Sequence, residues 1–210
     1  MLHIALAKGR ISEQVIAFLE AAGIHFPEYN ETSRKLIFVD DTDSFKITLV
    51  KSPDVPVYVE RGAADVGVVG KDILEEHSYS LYEICDLGVG RCRMAVAGIK
   101  GRSLPTGRRL VVGTKYPAIA RKYYASLGER VDIVPLNGSV ELAPLVGLSD
   151  VIVDIVESGN TLRENGLEAL TFFMDLSARL IVNKGAFRFK RKAIDRIIAC
   201  TKGGTEDGMD

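Results

Sequence analysis

Asp154, Glu157, Ser158, Gly159, Asn160 and Thr161 are the residues whose types and order are most suited to chemistry. An apolar run, Val151 to Val156, is interrupted by one acid, Asp154, and closes on the polar loop Glu157-Ser-Gly-Asn-Thr161. Leu162 to Gly166 then reads as a short helical turn stopped by glycine. Gly159 lets the backbone approach an anion, and the N–H groups of such a turn form an anion nest. Ser158 and Thr161 add hydroxyl donors, and the helix start adds its positive dipole end. Asp154 and Glu157 stand beside that cradle, where carboxylates can accept hydrogen bonds from vicinal sugar hydroxyls. The two together describe a pocket for a ribose 5-phosphate. The same residues also make an ordinary strand-to-helix turn. Burying an acid within a Val/Ile strand costs free energy, so Asp154 is expected near the strand's exposed carboxyl end. In open α/β sheets that is the end where ligands bind.

The elements that must position this loop follow from periodicity. His3 to Ala7 reads as a strand, Lys8-Gly9-Arg10 as its turn, and Ile11 to Ala22 as a helix ended by Gly23. Two cations after a buried strand suit a polyphosphate, although on these residues alone a solvated turn is the better reading. Lys35 to Val39 and Phe45 to Val50 read as strands joined by Asp40-Asp-Thr-Asp43. That loop lacks the spacing of a calcium loop and is taken as a hairpin. A helix is expected after Lys51, with Ser52 as its cap and Pro53 at its first position. Ala64 to Asp72 gives a buried strand and a turn. Gly67 to Lys71 approaches a nucleoside-triphosphate loop in composition, but its spacing is wrong and Asp72 stands where Ser or Thr is needed.

Leu81 to Val89 and Met94 to Ala97 read as strands, with a unit boundary between them. From Arg109 the order is strand, helix, strand, helix through Gly166, which makes a parallel α/β unit. Within it, Thr114-Lys115-Tyr116-Pro117 opens a helix and offers a second phosphate site, or a capped helix with an exposed lysine. Asn137-Gly138-Ser139 supplies donors at another helix start, and Glu141 can receive an adenine amino group or complement the helix dipole. Phe172 to Val182 reads as one strand, with Arg179 at an edge or a crossing between units. Asn183 to Cys200 reads as one helix with a basic, solvated face, and Gly203 to Asp210 as a frayed tail.

Composition limits the function classes. The chain has 210 residues, 47% of them hydrophobic, with 27 basic against 28 acidic side chains. No global basic field points to nucleic acid, so any anion site must be local. Cys85, Cys92 and Cys200 show no CxxC spacing and suit a reducing compartment. Cys92 is expected to be a small buried hydrophobe. The three histidines are scattered, which argues against a metal site built by the protein. Leu2 to Ala7 is too short for an export signal, and no run reaches membrane length. The expected location is the cytoplasm.

The loop resembles the phosphoribosyl-diphosphate loop of phosphoribosyltransferases. With its tail, Asn160-Thr-Leu-Arg-Glu-Asn-Gly-Leu167, it is similar to that of one subfamily, the ATP phosphoribosyltransferases that open histidine biosynthesis. Lys8-Gly-Arg10, the run Gly62 to Asp72, Arg91-Cys-Arg93 and Thr114-Lys-Tyr-Pro117 resemble the family's segments at the same places. The resemblance implies a two-lobed fold like the type II periplasmic binding proteins, with a cleft between lobes. Residues 1–90 plus 180–210 would form the ATP-side lobe, and residues 91–179 the lobe with the loop. It implies transfer of a phosphoribosyl group to N1 of ATP with Mg²⁺ and release of pyrophosphate.

Lys8, Arg10 and Asp154 would be catalytic. Glu157 to Thr161, Lys115, Gly138, Ser139, Glu141, Lys51, Asp72 and Arg93 would bind substrate. It further implies the short form, which lacks a histidine site of its own. That form works with a regulatory subunit similar to histidyl-tRNA synthetase in a hetero-octamer. Two other readings stay open on the residues alone. One is a salvage phosphoribosyltransferase, weakened because Ile155 rather than a second acid follows Asp154. The other is a two-lobed solute-binding or effector domain.

Overall fold

A computed structural model describes residues 1–30 and 33–203. The chain begins β1 (Leu2–Ala7), α1 (Arg10–Ala21), β2 (Ile37–Val39), β3 (Phe45–Val50), a 3₁₀ turn at Ser52–Asp54, α2 (Val55–Glu60), β4 (Val66–Gly70), α3 (Lys71–Glu76) and β5 (Tyr82–Asp86). It continues β6 (Cys92–Ile99), β7 (Leu110–Thr114), α4 (Pro117–Ser126), β8 (Val131–Pro135), α5 (Leu142–Leu145), β9 (Val151–Val156), α6 (Asn160–Glu164) and β10 (Leu167–Leu176). It closes with β11 (Ala178–Val182), α7 (Lys184–Phe189) and α8 (Arg191–Gly203). The fold is mixed α/β with two sheets. It divides into two compact units, one of residues 1–74, 78–90 and 177 onward, the other of 75–77 and 91–176.

The first unit holds the sheet β2-β3-β1-β4-β11-β5, in which β3 and β4 pair parallel with β1, while β2 pairs antiparallel with β3, and β11 pairs antiparallel with both β4 and β5. Side chains alternate across a strand, and both faces of β1 are buried. Leu2, Ile4 and Leu6 pack with Val15, Ile16 and Leu19 of α1 and Ile194 and Ile197 of α8. Ala5 and Ala7 face Val55 and Val59 of α2. Small residues on that second face let α2 come close. A Cβ on Gly67 would lie 2.8 Å from both Val55 Cγ1 and Val59 Cγ2, so glycine is required there.

The second unit holds the sheet β10-β6-β9-β7-β8. Strands β7, β8 and β9 are parallel, as the alternation from Arg109 onward implies, while β6 runs antiparallel to β9 and to β10. Met94, Val112, Ile119, Val151 and Val153 fill one face. Ala95, Ala97, Val140, Ala143, Ile152 and Leu162 fill the other. Cys92 packs against the first of these clusters but is half-buried, not buried as expected.

Several elements differ from the sequence reading. The single strand expected over Phe172–Val182 is two strands in different sheets. Strand β10 begins earlier, at Leu167, and ends at Leu176. Ser177 turns the chain between them, its hydroxyl donating to Asp86 Oδ1 at 2.7 Å. Arg179 then lies in an inner strand, β11, paired with Asp86 (3.1 Å) and Glu83 (3.7 Å) of the neighbouring β5. The single helix expected over Asn183–Cys200 is two. Asn183 caps α7 by accepting from the amides of Gly185 and Ala186 at 2.8 and 3.1 Å. Lys190 breaks the run, and its ammonium donates to Asp65 Oδ2 (2.7 Å) and the Met1 carbonyl (3.0 Å).

The basic residues of the run are all exposed, as expected of a solvated face, although Lys190 also holds Asp65. Ser52 begins a 3₁₀ turn instead of capping a helix from outside. The acid-rich loop Asp40–Asp43 does form a hairpin between β2 and β3. Asp40 accepts the Phe45 amide at 2.7 Å and the Thr42 hydroxyl. Burial works against its charge, but these hydrogen bonds outweigh burial and hold its carboxyl below the usual range. The expected frayed tail lies outside the described residues from 204 on.

Candidate active site

Strand β9 carries Asp154 as its fourth residue, opposite Ala95 of β6 and half-buried rather than at the exposed tip. Asp154 Oδ1 accepts the Ile155 amide at 2.8 Å. Two residues beyond Asp154 the strand ends. The backbone then turns through Gly159, whose φ of 73° is left-handed, and enters α6 at Asn160. The amides of the first helical turn have no partners within their own helix. Ser158 Oγ meets the Asn160 amide at 3.4 Å. Leu162 is buried and anchors α6 to the sheet beneath.

A hollow of about 320 Å³ lies against this turn. Asp154, Glu157, Ser158, Gly159, Asn160, Thr161 and Glu141 all line it. The structure thus brings together the loop residues read from sequence and adds Glu141 to them. A second hollow of about 540 Å³ adjoins the same loop and is lined by Arg93, Lys100, Arg163 and Phe172. Arg93 pairs in register with Val156, so it stands at the edge where β9 ends, and its guanidinium lies 3.6 Å from the Phe172 ring centroid. Because β7, β8 and β9 are parallel, Lys115, Gly138 and Ser139 follow the carboxyl ends of the same sheet. Ser139 adopts φ 47°, a left-handed turn before α5.

The helix start at Thr114–Pro117 is already engaged. Glu76 accepts the amides of Ala118 and Ile119 at 2.9 to 3.0 Å, and Glu75 pairs with Lys122 at 2.9 Å. Thr114 is fully buried, its hydroxyl donating to the Val153 carbonyl at 2.6 Å and accepting the Tyr116 amide. The amides that the sequence offered to phosphate are therefore met by a carboxylate of the protein. Only Lys115 stays exposed at this turn, about 6.0 Å from the Tyr116 ring. Glu76→Ala is expected to destabilise the second unit by roughly 1–2 kcal/mol through loss of this cap. A thermal melt that leaves the midpoint unchanged would show that the cap carries no stability.

In the first unit the parallel strands β3, β1 and β4 end at one edge. Lys51, Lys8 and Asp72 follow those ends, and Arg10 opens α1. The Lys8 amide donates to the Val50 carbonyl at 3.0 Å, which ties two of these turns together. Gly9 and the buried Ser12 exchange hydrogen bonds of 3.1 and 2.7 Å and fix the start of α1. Sequence reasoning missed Lys100, Arg163, Phe172 and Glu76. Arg163 was legible as a cation one turn after the loop; Glu76 gave no local signal. Among the described residues no group of three or more His, Cys, Asp or Glu could hold a metal. Nor is any helix among them long and apolar enough to cross a membrane.

A parallel strand that turns through a left-handed glycine into a helix start is how many α/β proteins receive phosphorylated ligands. Residues 51–203 match the family model HisG, ATP phosphoribosyltransferase. The ATP phosphoribosyltransferase of Oceanobacillus iheyensis is 49% identical over 93% of this chain and 94% of its own. That of Ectopseudomonas mendocina is 47% identical over 98% of each. The solved ATP phosphoribosyl transferase (HisG:HisZ) complex from Thermotoga maritima superposes with a TM-score of 0.81 at 36% identity, covering 97% of this chain and 100% of that one. The chain belongs to the ATP phosphoribosyltransferase family. Its reaction transfers the 5-phosphoribosyl group of phosphoribosyl diphosphate to N1 of ATP and releases pyrophosphate, the first step of histidine biosynthesis.

Proposed function

We propose that the turn Glu157–Thr161 holds the 5-phosphate of phosphoribosyl diphosphate, with Asp154 and Glu157 accepting hydrogen bonds from the ribose hydroxyls. The observation that carries this reading is the single hollow lined by Asp154, Glu141 and the whole turn. Gly138 and Ser139, at the end of a neighbouring parallel strand, supply further donors, with Lys115 and Arg93 as cations beside the same sheet edge. Lys8, Arg10 and Lys51 serve the first unit, on the ATP side, with Asp72 beside them. Adenine N1 attacks the anomeric carbon as the bond to pyrophosphate breaks. The sugar becomes oxocarbenium-like, and the carboxylates beside it favour that charge. Alignment and charge stabilisation supply most of the rate in such a displacement.

Phosphoribosyltransferases generally use a divalent metal. Mg²⁺ binds through one or two carboxylates plus substrate phosphates and keeps several waters. Asp154 and Glu157, two of the three carboxylates that line the hollow beside the turn, suit an ion that arrives with the diphosphate. The overall arrangement proposed is the type II periplasmic-binding-protein-like fold, and the compartment is the cytoplasm.

The Thermotoga maritima structure is a HisG:HisZ complex. By that likeness this chain works as the short form, with a regulatory subunit similar to histidyl-tRNA synthetase in a hetero-oligomer. Allostery needs a second site with different affinity for two states, and the partner supplies it. Histidine is expected to leave the chain's own activity unchanged, and the partner to raise activity and confer histidine inhibition. A pyrophosphate-release assay across a histidine titration, with and without the partner, checks this. Strong inhibition of the chain by itself would overturn the assignment of regulation to the partner.

A further inference from the structure

We propose that Arg163 is a positioning residue for the phosphate turn, acting through the backbone and not on the ligand. This rests on the reading that the turn holds the 5-phosphate. Helix α6 has five residues, too short to hold its own shape without help. Its start is exposed, and Gly159 gives the turn more backbone freedom than any other residue would. Arg163, on the last turn of the same helix, reaches back over it. One guanidinium nitrogen donates to the Ser158 carbonyl at 3.3 Å, and the other donates to Asn160 Oδ1. The fork thus joins the residues on either side of Gly159. A planar guanidinium can make both bonds at once; an ammonium has no such geometry.

The bonds to Ser158 and Asn160 decide its role, and its place agrees with them. It lines the larger hollow with Arg93, Lys100 and Phe172. It does not line the hollow that Asp154 and Glu141 share with the turn. Glu157, Ser158 and Gly159 line both hollows, so the guanidinium, already engaged by Ser158 and Asn160, bears on the turn from the hollow beside the one proposed for the ligand. An anion nest works only when its N–H groups already converge, because ordering them on binding would cost affinity.

The test is calorimetry with phosphoribosyl diphosphate and Mg²⁺, and separately with ATP, on the wild-type chain, Arg163→Ala and Arg163→Lys. Arg163→Ala is expected to weaken phosphoribosyl diphosphate about tenfold and ATP by less than about twofold, with free guanidinium at millimolar concentration restoring part of the loss. Arg163→Lys keeps the charge without the fork and is expected to resemble Arg163→Ala. Unchanged affinity in Arg163→Ala, equal losses for both ligands, or full recovery in Arg163→Lys would each overturn the proposal. Gly159→Val run alongside separates the two claims. If it abolishes binding while Arg163→Ala does nothing, the turn is the phosphate site and only the brace is refuted. If neither changes binding, the phosphate site itself lies elsewhere and the brace falls with it.

Discussion

Gly159→Val is expected to reduce affinity for phosphoribosyl diphosphate by at least about a hundredfold, some 2.8 kcal/mol, while the chain stays folded. Gly159 sits at φ 73°, where a β-branched side chain is a steric outlier. Its added Cβ would lie 3.4 Å from an Arg163 guanidinium nitrogen and 3.8 Å from Val156 Cγ1. Valine therefore has two ways to relieve itself, and both move the turn. It can leave the left-handed region, which rotates the Asn160 amide, or it can push Arg163 from the Ser158 carbonyl. Because the turn is largely exposed, neither response opens the core. Gly159→Asn is the control, since asparagine tolerates this backbone region, and it should bind several-fold better than the valine variant. Calorimetry checks both. Normal binding by Gly159→Val would remove the turn from the site.

Asp154→Asn should weaken phosphoribosyl diphosphate by about one to two decades and ATP much less. Loss of a charged acceptor costs roughly 1.5–3 kcal/mol. The substitution is mild for the fold. Asparagine keeps an oxygen that can accept the Ile155 amide, as Asp154 Oδ1 does at 2.8 Å. What it loses is the charge facing the hollow lined by Glu141 and the turn. Titrating each ligand separately decides the matter. Equal losses for both would make Asp154 a structural acid of β9.

The strand-to-helix turn at Glu157–Thr161 was legible because its signals are local. A β-branched run, one acid, a glycine and two hydroxyls lie within a few residues, and the strand end, left-handed turn and helix start follow from backbone chemistry alone. The parallel order of β7, β8 and β9 was legible for a similar reason, since strand and helix periodicities alternate cleanly there. What escaped the sequence depends on distant partners. Glu76 meets the amides of Ala118 and Ile119 across 42 and 43 residues, and nothing near either end announces it. Thr114 read as the flank of a phosphate site or of a capped helix with an exposed lysine; the structure shows the second, with Thr114 buried against β9 and Lys115 exposed. The apolar run from Phe172 to Val182 contains no glycine or proline at the point where it changes sheets. Only Ser177, tied to Asp86, marks the turn. Lys190 likewise ends α7 through bonds to Asp65 and to the first residue of the chain.

The most direct test of the phosphoribosyl-transfer assignment is product analysis. The chain, with its regulatory subunit, is incubated with phosphoribosyl diphosphate and Mg²⁺, together with ATP or with free nucleobases in separate reactions. Pyrophosphate and the product are then quantified by mass. Pyrophosphate should appear with ATP only, in equal amount to an adduct of ATP carrying phosphoribose on N1. Release with a free nucleobase in place of ATP, or no release with ATP, would contradict that assignment.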